Sequence, residues 1–392
     1  MGNSKSENRV LMVASVSSMI GQFNMNNIKL LQEMGYEVHV ACNMRDRSVW
    51  PKERIEKFLI ELNQKSITYY QIDFARKPLK FMEHVRAYKQ LVKLLNTNRY
   101  QFIHCHSPIG GAIARIAGHH TGTKVIYTAH GFHFYKGAPI VNWILYFPVE
   151  WICSWFTDIL ITINQEDYQR AIRFLHAKKV EYVHGIGVDI DKFKTDRIDI
   201  KEINKKQQFM KQWGIPYNAK ILLSVGELNK NKNHSIVIKA LAELKDTTIH
   251  YCIAGNGILR DDLMQLANEL GIEEQVHLLG YRNDINELLG MADIYLLPSI
   301  REGLNVSLME AMASTLPCIC SNIRGNNDLI QEAQGGYRVE YDDVNAWKHA
   351  IEKIYNDLGS LREYGKFNRK WIKKFSLQSV LNEMKMVYEE VL

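Results

Sequence analysis

Short apolar runs alternate with segments of helical period along the first half of the chain. The runs are rich in Val, Ile and aromatic residues, and the segments between them repeat apolar residues at helical spacing, as in Gln22–Met34, Phe81–Leu95 and Gly110–His120. The predicted strands are Arg9–Val16, Tyr36–Cys42, Ile67–Ile72, Gln101–Cys105, Lys124–Thr128, Asp158–Ile163 and Glu181–His184. Apolar strands that alternate with helices pair in parallel, so this half predicts a doubly wound sheet covered on both faces.

The same alternation begins again after a polar, lysine-rich stretch. This stretch follows Gly185–Asp191 and runs to about Pro216, and we interpret it as the connection between two domains. The predicted strands that follow are Lys220–Val225, Thr248–Ala254, Gln275–Leu279, Asp293–Leu297 and Pro317–Cys320. We therefore expect an α/β protein with Rossmann-like domains at residues 1–185 and 186–374, and a final helix at about 375–392 packed back on the first domain. Ligands of such sheets bind beyond the carboxyl ends of the strands, so the cleft between the domains is the expected site.

Length and composition fit this organisation. With 392 residues and 46% apolar content, the chain can bury a large core, and its length favours two domains. The six cysteines form no Cys-x-x-Cys pair and most lie in apolar runs, which indicates reduced thiols in a cytosolic protein. The N-terminus has no apolar signal core, and no run of about 20 uncharged apolar residues occurs. These features predict a cytoplasmic protein that does not span a membrane.

Charge is unevenly distributed along the chain. Residues 1–185 contain 23 Lys and Arg against 14 Asp and Glu, whereas the remainder contains 26 against 29. Seven basic residues lie from Arg76 to Arg99 beside the single acid Glu83, and the tryptophan-rich segment 139–156 belongs to the same domain. Two interpretations stay open: peripheral attachment to an anionic membrane surface on the inner face, or a solvated basic helix and a buried aromatic helix. No nucleic-acid-binding module is visible, so nucleic acid is not an expected partner.

Glu302 and Glu310, with seven residues between them, mark the most informative segment. The segment follows the apolar strand Ile294–Leu297 and becomes helical, so Leu304–Ser307 is expected at a helix N-terminus. Unpaired N–H groups and the helix dipole attract phosphate there. Carboxylates on either side of an anion site suit a diphosphate flanked by polyhydroxy rings, which is the chemistry of a nucleotide sugar. We expect Glu310 to hold ribose hydroxyls and Glu302 to face the donor sugar, whereas the alternative is two ordinary acidic residues of a helix.

Three further loops at the ends of predicted strands suit the same ligand. Gly226 permits close backbone approach, and Lys230 and Lys232 would neutralise a diphosphate. The other two loops are Ala254–Gly257, a Gly-x-Gly turn into a helix, and Gly280–Asp284. Taken singly, the three loops have plainer interpretations: solvated lysines, a weak glycine motif, and a helix cap by the final aspartate.

Together these segments resemble the retaining glycosyltransferases of family 4, which have the GT-B fold. The resemblance runs from about Arg9 to the C-terminus, and it includes the spaced glutamates, Ala254–Gly257, Pro298–Ser299 and Arg324–Gly325. It implies catalytic roles for Glu302 and for Lys232, whose charge would assist the leaving group. The residues expected to bind the donor are Gly21, Gly226, Asn256, Gly257, Arg282, Gly303, Leu304, Asn305 and Glu310.

The first half adds two segments to the resemblance, Ser17–Gly21 and Tyr127–His133. A glycine loop after the first strand would admit the donor phosphates, and where the family often has paired glycines this chain has only Gly21. His130 matches the family's histidine near the donor sugar and the acceptor, and it is the third expected catalytic residue, although a lone histidine is more often structural. The run from His130 through Pro139 resembles the bacterial capsule and exopolysaccharide branch of the family.

One position departs from the family pattern. Many members have an arginine where this chain has Glu227, and that arginine helps to hold the leaving diphosphate. Two explanations stay open. Either Glu227 turns away and Lys232, together with Lys230 or Arg324, supplies the charge, or the diphosphate lies differently.

Two other motifs are assigned no chemistry. Asp189-Ile190-Asp191 resembles a metal motif of a different glycosyltransferase fold but lies at the domain junction, so neither a metal nor a cofactor is expected. His104-Cys105-His106 places alternate residues on one strand face, and no further ligand cluster is evident, which favours structural packing.

The resemblance predicts a metal-independent hexosyltransferase that retains the anomeric configuration. It would move a sugar from a nucleotide-sugar donor, with UDP as the expected nucleotide, to a lipid-linked saccharide acceptor in capsule or exopolysaccharide synthesis. Two other classes stay open. One is a nucleotide-sugar epimerase of the same fold, since a fold does not determine a function. The other is a catalytically silent partner in a polysaccharide complex, which only Glu227 favours.

Overall fold

The computed structural model of the chain describes residues 8–193 and 200–391. It contains two parallel sheets, each covered by helices on both faces. The described residues divide into two compact units. The first unit contains the chain up to Ile186 and again from Gln378, and the second unit runs from Gly187 to Leu377. The prediction of an α/β protein built from two doubly wound, Rossmann-like sheets is confirmed.

The first unit begins with alternating strands and helices. Its strands are β1 (Arg9–Val16), β2 (Glu37–Asn43), β3 (Thr68–Gln71), β4 (Phe102–His106), β5 (Lys124–Ala129), β6 (Ile159–Thr162) and β7 (Lys179–Tyr182). Its helices up to that point are α1 (Ser17–Phe23), α2 (Met25–Glu33), α3 (Lys52–Gln64), α4 (Phe81–Thr97), α5 (Pro108–Thr121), α6 (Ile140–Ser154) and α7 (Gln165–Phe174). The strands pair in parallel in the order β3-β2-β1-β4-β5-β6-β7.

Strand β1, which lies inside this sheet between β2 and β4, is an unbroken apolar run from Val10 to Ala14 for a physical reason. In β1, residues 10–14 are at most 1% exposed. Met12 and Ala14 belong to the core on one face of the sheet, whereas Leu11 and Val13 belong to the core on the other face. A strand buried on both faces carries apolar side chains on both of them, so these five residues do not alternate with polar ones.

The second unit repeats the arrangement with six parallel strands. They are β8 (Lys220–Val225), β9 (Ile249–Ala254), β10 (Val276–Gly280), β11 (Ile294–Leu297), β12 (Cys318–Ser321) and β13 (Gly336–Val339), in the order β10-β9-β8-β11-β12-β13. The remaining helices of the chain are α8 (Ile200–Gln212), α9 (His234–Leu244), α10 (Arg260–Glu269), α11 (Ile285–Met291), α12 (Val306–Ala313), α13 (Asn326–Leu329), α14 (Val344–Asn356), α15 (Leu358–Trp371) and α16 (Leu377–Val391). Short 3₁₀ turns occur at Glu273–Gln275 and Ile372–Phe375.

The last helix, α16, completes the first unit. Its residues Val380, Met384, Val387, Tyr388 and Val391 recur at helical spacing and are buried in the core that also contains Met12 and Ala14 of β1. This apolar stripe holds the end of the chain on the first sheet. Where the chain passes between the units, the N–H of Val188 donates to the carbonyl of Phe375 and the N–H of Leu377 donates to the carbonyl of Val188, both at 2.9 Å.

Two predictions about the second half need correction. The lysine-rich stretch is not a connection up to Pro216, because it contains α8, whose Phe209 and Met210 are buried in the core of the second unit. Part of the predicted connection, residues 194–199, lies outside the described residues. Strand β13 (Gly336–Val339) was not predicted, since two of the five residues from Gly335 to Val339 are glycines and the apolar run is short.

Two predictions about helices of the first half also differ from the structure. The segment predicted as one helix at 22–34 is two helices, which meet at Asn24, where the backbone leaves the helical region (φ −123°, ψ −1°). The alternative of a buried aromatic helix at 139–156 holds for one side only: Trp143 and Phe147 pack against a core of the first unit, whereas Ile140, Ile144 and Trp155 are 73%, 66% and 57% exposed. Among the described residues, no helix combines the length and apolar character needed to cross a bilayer.

Candidate active site

The second sheet reverses its strand order between β8 and β11. Strand β8 pairs with β9 on one side and with β11 on the other, so the chain proceeds outward in both directions from this place. The loops that follow two such neighbouring parallel strands separate from each other, and ligands of doubly wound sheets bind in the crevice between them. Residues 226–233 follow β8 and residues 298–305 follow β11, and these loops contain Lys232 and Glu302.

Lys232 and Glu302 form a direct ion pair between these two loops. Nζ of Lys232 lies 2.6 Å from Oε1 of Glu302, and the two side chains are only 19% and 13% exposed. Arg324, which is buried, donates from Nε to the main-chain carbonyl of Glu302 at 3.3 Å. The structure therefore brings two of the expected catalytic residues together. A phosphate oxygen at this place would compete with the carboxylate for the ammonium group.

Glu227 is an exposed residue of the loop after β8. None of the ion pairs among residues 8–193 and 200–391 includes its carboxylate. Lys230 is exposed in the same loop, whereas Arg324 reaches Glu302. Lys230, Lys232 and Arg324 were the cations considered for the leaving diphosphate. Of these three, Lys232 and Arg324 contact Glu302.

Asn305 caps the N-terminus of α12, and the helix begins at Val306, within the segment Leu304–Ser307 that was predicted for its start. Its backbone is extended, and its Oδ1 accepts the N–H of Leu308 at 2.9 Å and the hydroxyl of Ser307 at 2.8 Å. The N–H groups of Val306 and Ser307, in the first turn, have no acceptor within the helix. Because the helix dipole adds partial positive charge at this end, the first turn of α12 is suited to an anion.

Gly303 and Leu304 connect Glu302 to this cap, and Gly325 passes close to them. Gly325 has φ +79°, and a Cβ atom there would lie 1.9 Å from the carbonyl oxygen of Gly303. Only glycine permits both the backbone conformation and the contact. The pair Arg324–Gly325 in the sequence motif therefore has a physical reason: one residue bonds the glutamate loop and the other packs against it.

Asn256 and Gly257 lie against the loop that follows β8. The N–H of Leu228 donates to the carbonyl of Asn256 at 2.9 Å, and the N–H of Gly226 donates to the carbonyl of Ala254 at 3.0 Å. The side chain of Asn256 is exposed. The glycine turn after β9 thus supports the backbone of the lysine loop, and its exposed amide is available to a ligand.

Arg282 belongs to the loop after β10, one strand farther along the sheet. Its guanidinium pairs with Asp284 through Nε, 2.8 Å from Oδ1, and through a second nitrogen that contacts Oδ2. The carboxylate of Asp284 consequently does not cap α11, so the alternative of a simple helix cap is wrong. This loop is tied to the previous one, since the N–H of Gly255 donates to the carbonyl of Gly280 at 2.8 Å.

Glu310 lies in the second turn of α12. Burial raises the pKa of its carboxyl group to about 7, and the positive charge of Lys192 opposes this effect. A carboxyl group with this pKa is close to half ionised at neutral pH. A ligand that donates hydrogen bonds to it would favour the ionised form.

In the first unit, a cavity of about 330 Å³ lies at the carboxyl ends of β1, β4 and β5. Residues from all three strand ends and from α6 line it, among them Ser15, Met19, Ser107, His130, His133 and Tyr146. Burial lowers the pKa of His130 to about 4, so its ring is neutral near pH 7. Nε2 of His130 lies 3.1 Å from Nδ1 of His106.

His106 is a neighbour of the expected site that sequence reasoning missed. The motif His104-Cys105-His106 was interpreted as packing, and Cys105 does belong to the opposite core. His106, however, ends β4 beside β5, and its ring bonds the histidine that follows β5. The signal in the sequence is that both histidines stand where a strand ends, because the ends of neighbouring parallel strands lie at one edge of a sheet.

Gly21 is not part of a loop, in contrast to the prediction. Helix α1 begins directly after β1, and Gly21 lies in its later half. A Cβ atom there would come within 2.4 Å of the Trp50 ring, so this glycine makes room for a buried tryptophan. Its assignment to the donor phosphates stays a prediction. Gly21 and His130 belong to the first unit, whereas the other expected site residues belong to the second.

The motif Asp189-Ile190-Asp191 serves as a turn. Oδ1 of Asp189 accepts the N–H groups of Asp191 and Lys192, at 3.2 and 3.1 Å. Within the part of the chain that the structure describes, no group of three or more His, Cys, Asp or Glu side chains is arranged to hold a metal ion.

Comparison with known proteins identifies relatives along the whole chain. The sequence profile of the family described as "Glycosyl transferases group 1" matches residues 205–371, and that of "Glycosyltransferase Family 4" matches residues 21–192. The putative glycosyltransferase EpsD of Bacillus subtilis (strain 168) is 35% identical over 386 residues, which cover 97% of this chain and 96% of EpsD. The UDP-Gal:alpha-D-GlcNAc-diphosphoundecaprenol alpha-1,3-galactosyltransferase of Escherichia coli is 28% identical over 330 residues, covering 80% of this chain and 84% of that enzyme.

Among solved structures, HepE of Anabaena in complex with UDP and glucose has a similar fold. The two chains superimpose with a TM-score of 0.78 at 17% identity, over 98% of this chain and 100% of HepE. At this identity the likeness shows the fold, which is the two-domain GT-B arrangement of Rossmann-like sheets.

Proposed function

The chain belongs to glycosyltransferase family 4, and from this premise we propose that it transfers a sugar from a UDP-sugar to a lipid-linked saccharide in capsule or exopolysaccharide synthesis. The observation that carries the proposal is the Lys232–Glu302 pair beside the N-terminus of α12. A diphosphate needs a cation and free N–H groups, and a sugar needs a carboxylate that accepts from its hydroxyls. Both sets of groups occur together at this place.

In the proposed complex, the diphosphate lies at the first turn of α12. Lys232 carries the leaving-group charge and Arg324 holds the glutamate loop, with Gly303, Leu304 and Asn305 along the phosphates. Glu302 accepts from the donor sugar and Glu310 from the ribose. The remaining donor contacts come from loops that follow β8, β9 and β10, at Gly226, Asn256, Gly257 and Arg282.

The proposed reaction retains the anomeric configuration and uses no metal ion. As the bond between the sugar and the diphosphate breaks, negative charge develops on the phosphate oxygens. A fixed ammonium group and oriented N–H groups stabilise that charge without rearranging at the moment of reaction. The hydroxyl of the acceptor saccharide attacks, and the nucleotide diphosphate departs, on the same face of the donor sugar.

Support for a uridine donor and a lipid-linked acceptor comes from the relatives. The name of the Escherichia coli relative specifies UDP-Gal as donor and a sugar-diphosphoundecaprenol as acceptor, and the similar HepE structure contains UDP. In this proposal the first unit takes the acceptor, at the cavity lined by His130.

We also propose that the protein is cytoplasmic and attaches peripherally to an anionic membrane through its first unit. Helix α6 exposes several large apolar side chains, including Ile140, Ile144 and Trp155. Helices α4 and α6 both pack against α5, and α4 exposes basic residues that include Arg86 and Lys89. Exposed apolar side chains and exposed cationic ones on helices that pack against the same helix suit an interface with anionic lipid.

Vesicle co-sedimentation tests this attachment. We expect the protein to bind vesicles containing phosphatidylglycerol more than vesicles of phosphatidylcholine alone, and Ile144→Glu to weaken the binding because it places a charge on the apolar face of α6. Tyr217→Glu, at a 67% exposed position of the second unit, is the matched control and should bind like the wild-type protein. Equal binding to the two kinds of vesicle contradicts the proposal.

Transfer assays test the chemistry. Purified protein with a panel of nucleotide sugars should release the nucleotide only when a lipid-diphosphate sugar is present. Glu302→Ala and Lys232→Ala should each lower turnover about 10²-fold or more, the scale of one lost transition-state contact. Lys239→Ala removes an exposed charge from α9 and should leave turnover unchanged. Near-normal turnover in either of the first two variants removes that residue from the mechanism.

The same panel of nucleotide sugars distinguishes a transferase from the two other functional classes, the epimerase and the catalytically silent partner. Conversion of the donor sugar without any acceptor would identify an epimerase, and the absence of both conversion and transfer would identify a silent partner.

A further inference from the structure

Three histidines of the first unit form a row that ends at the cavity. His104 and His106 have ring centroids 4.2 Å apart, and those of His106 and His130 are 5.3 Å apart. The two ring nitrogens of His104 are bonded to the hydroxyls of Tyr388, at 2.9 Å, and Thr128, at 2.8 Å. His104 therefore has no nitrogen left for His106, and the partners of His106 are Met12 and His130.

The environment of His106 determines which of its nitrogens carries the proton. The residue is 1% exposed, and its Nε2 lies 3.1 Å from Sδ of Met12. A thioether sulfur has no hydrogen to donate, so it can only accept. If Nε2 were unprotonated, two sets of lone pairs would face each other in a buried place, with the cost of an unsatisfied polar group. The proton of His106 consequently belongs on Nε2.

This assignment also determines the tautomer of His130. Nδ1 of a neutral His106 that is protonated on Nε2 is an acceptor. The 3.1 Å contact to Nε2 of His130 is then a hydrogen bond only if His130 donates from that nitrogen. Nδ1 of His130 is left without a proton, and within residues 8–193 and 200–391 no hydrogen bond engages it.

We propose that His106 is a positioning residue: it holds the proton of His130 on Nε2, so that His130 presents Nδ1 to the cavity as a hydrogen-bond acceptor for a sugar hydroxyl. A phosphate oxygen has no hydrogen to offer to such a nitrogen, whereas a hydroxyl has one. The identification of the occupant as a sugar rests on the proposed function, but the tautomer does not.

Burial supports the neutral form of all three rings. It lowers the pKa of His104 to about 3 and that of His130 to about 4, and it holds the pKa of His106 well below its ordinary value. An imidazolium at position 130, which would donate from both nitrogens and suit a phosphate, is therefore disfavoured near pH 7.

The first measurement is ¹⁵N NMR of the full chain labelled at its histidines, in which protonated and unprotonated ring nitrogens resonate far apart. The signals of His130 are those lost in His130→Ala. We expect a protonated Nε2 and an unprotonated Nδ1 near pH 7, with no change when inorganic phosphate is added. A proton on Nδ1 of His130, with or without phosphate, overturns the proposal whatever the activity of the enzyme.

The second measurement uses two variants of His106. His106→Asn keeps an acceptor oxygen close to the position of Nδ1, whereas His106→Leu fills the space without one. We expect kcat/KM to fall about tenfold in His106→Leu and to stay within about threefold of the wild type in His106→Asn, the scale of one hydrogen bond. In the His130→Ala background, His106→Leu should cause no further loss, because its effect passes through that ring.

Losses that add in the double variant mean that His106 acts on packing alone, and they overturn the proposal. If His106→Leu does not fold, the wild-type spectrum and the activity of His106→Asn decide the question. If no pair of donor and acceptor gives transfer with the wild-type protein, the proposed function fails, while the spectrum still decides the tautomer.

Discussion

Glu310 is a carboxyl group whose protonation near neutral pH affects both the stability of the protein and the proposed binding of the donor. Burial raises its pKa from the ordinary 4.5 to about 7. Since the folded protein holds this proton more tightly than the unfolded chain, the contribution of Glu310 to stability is fully present below about pH 4.5. It is lost as the pH rises through about 7. A ribose that donates to the ionised carboxylate would have to displace the proton.

We expect the affinity for a UDP-sugar to rise by up to about tenfold per pH unit below pH 7 and to level off above it. The physical reason is that binding releases the proton of Glu310, while the diphosphate of a nucleotide sugar does not titrate in this range. Isothermal titration calorimetry in buffers of different ionisation enthalpy measures both the affinity and the proton release. Glu310→Gln should bind more weakly but with little dependence on pH. A wild-type affinity that stays constant from acid to neutral pH would sink this prediction.

At the scale of single residues, the sequence indicated which side chains lie at strand ends but not which of them contact each other. Glu302 and Lys232 were predicted from their places at strand ends, and their roles stay predictions. Their 2.6 Å contact joins residues 70 positions apart and follows only from the pairing of β8 with β11. The bond between His106 and His130 depends in the same way on the neighbouring ends of β4 and β5.

At the scale of elements, helix α6 is attached to the first unit by a buried ion pair. Glu150 of α6 and Arg115 of α5 are 6% and 1% exposed, and their side chains meet at 2.8 Å. The hydroxyl of Tyr127 donates to the same carboxylate at 3.1 Å, and the guanidinium carbon of Arg115 lies 4.0 Å from the centre of its ring. These contacts fix one side of α6 while its other side is exposed and apolar.

Breaking this ion pair should destabilise the first unit. We expect Glu150→Leu to lower the free energy of unfolding by about 3–5 kcal/mol, because it leaves the Arg115 charge buried without its partner. The double variant Arg115→Met/Glu150→Leu should recover much of the loss, since both charges are then removed. Urea unfolding followed by circular dichroism measures the difference. A double variant that is no more stable than Glu150→Leu would show that packing, and not the unpaired charge, accounts for the effect.

Elements with a strong apolar period were predictable, and weakly patterned ones were not. The prediction of Arg9–Val16 and Lys220–Val225 as strands is confirmed residue for residue, because both are continuous apolar runs buried on two faces. Helix α8 was missed because its sequence is rich in lysine and glutamine, and among its residues 203–212 only Phe209 and Met210 are buried. The sequence did not determine whether α6 is buried or exposed, because the sequence of an apolar helix does not show which of its sides packs against the rest of the protein.

At the scale of the whole molecule, the first unit is built from both parts of an interrupted chain. Helix α16 returns after the second unit and supplies Met384, Val387 and Tyr388 to the first core, where the Tyr388 hydroxyl bonds His104. Full burial of a side chain such as Met384 or Val387 contributes about 1.5–3 kcal/mol to the free energy of folding. The first unit therefore depends on residues of α16 that lie about 200 positions beyond its last strand, as in the bond between His184 and Glu383, which are 199 positions apart.

Truncation after Leu377 should destabilise the first unit selectively. We expect faster amide hydrogen exchange in β1 and β4, which lose the cover of α16, and unchanged exchange in β8 and β11. A synthetic peptide with the sequence of residues 377–392 should restore the protection when it is added. Protection of β1 and β4 at the level of the full chain would contradict the prediction.

The interruption has a consequence for how such enzymes diversify. The bonds of Val188 to Phe375 and Leu377 keep the start and the finish of residues 187–377 adjacent. This stretch, which contains every proposed donor contact except Gly21, is thus a cassette with neighbouring ends. If the proposed function holds, recombination at two points of the gene would exchange the proposed donor contacts between homologues and leave the proposed acceptor cavity of the first unit unchanged.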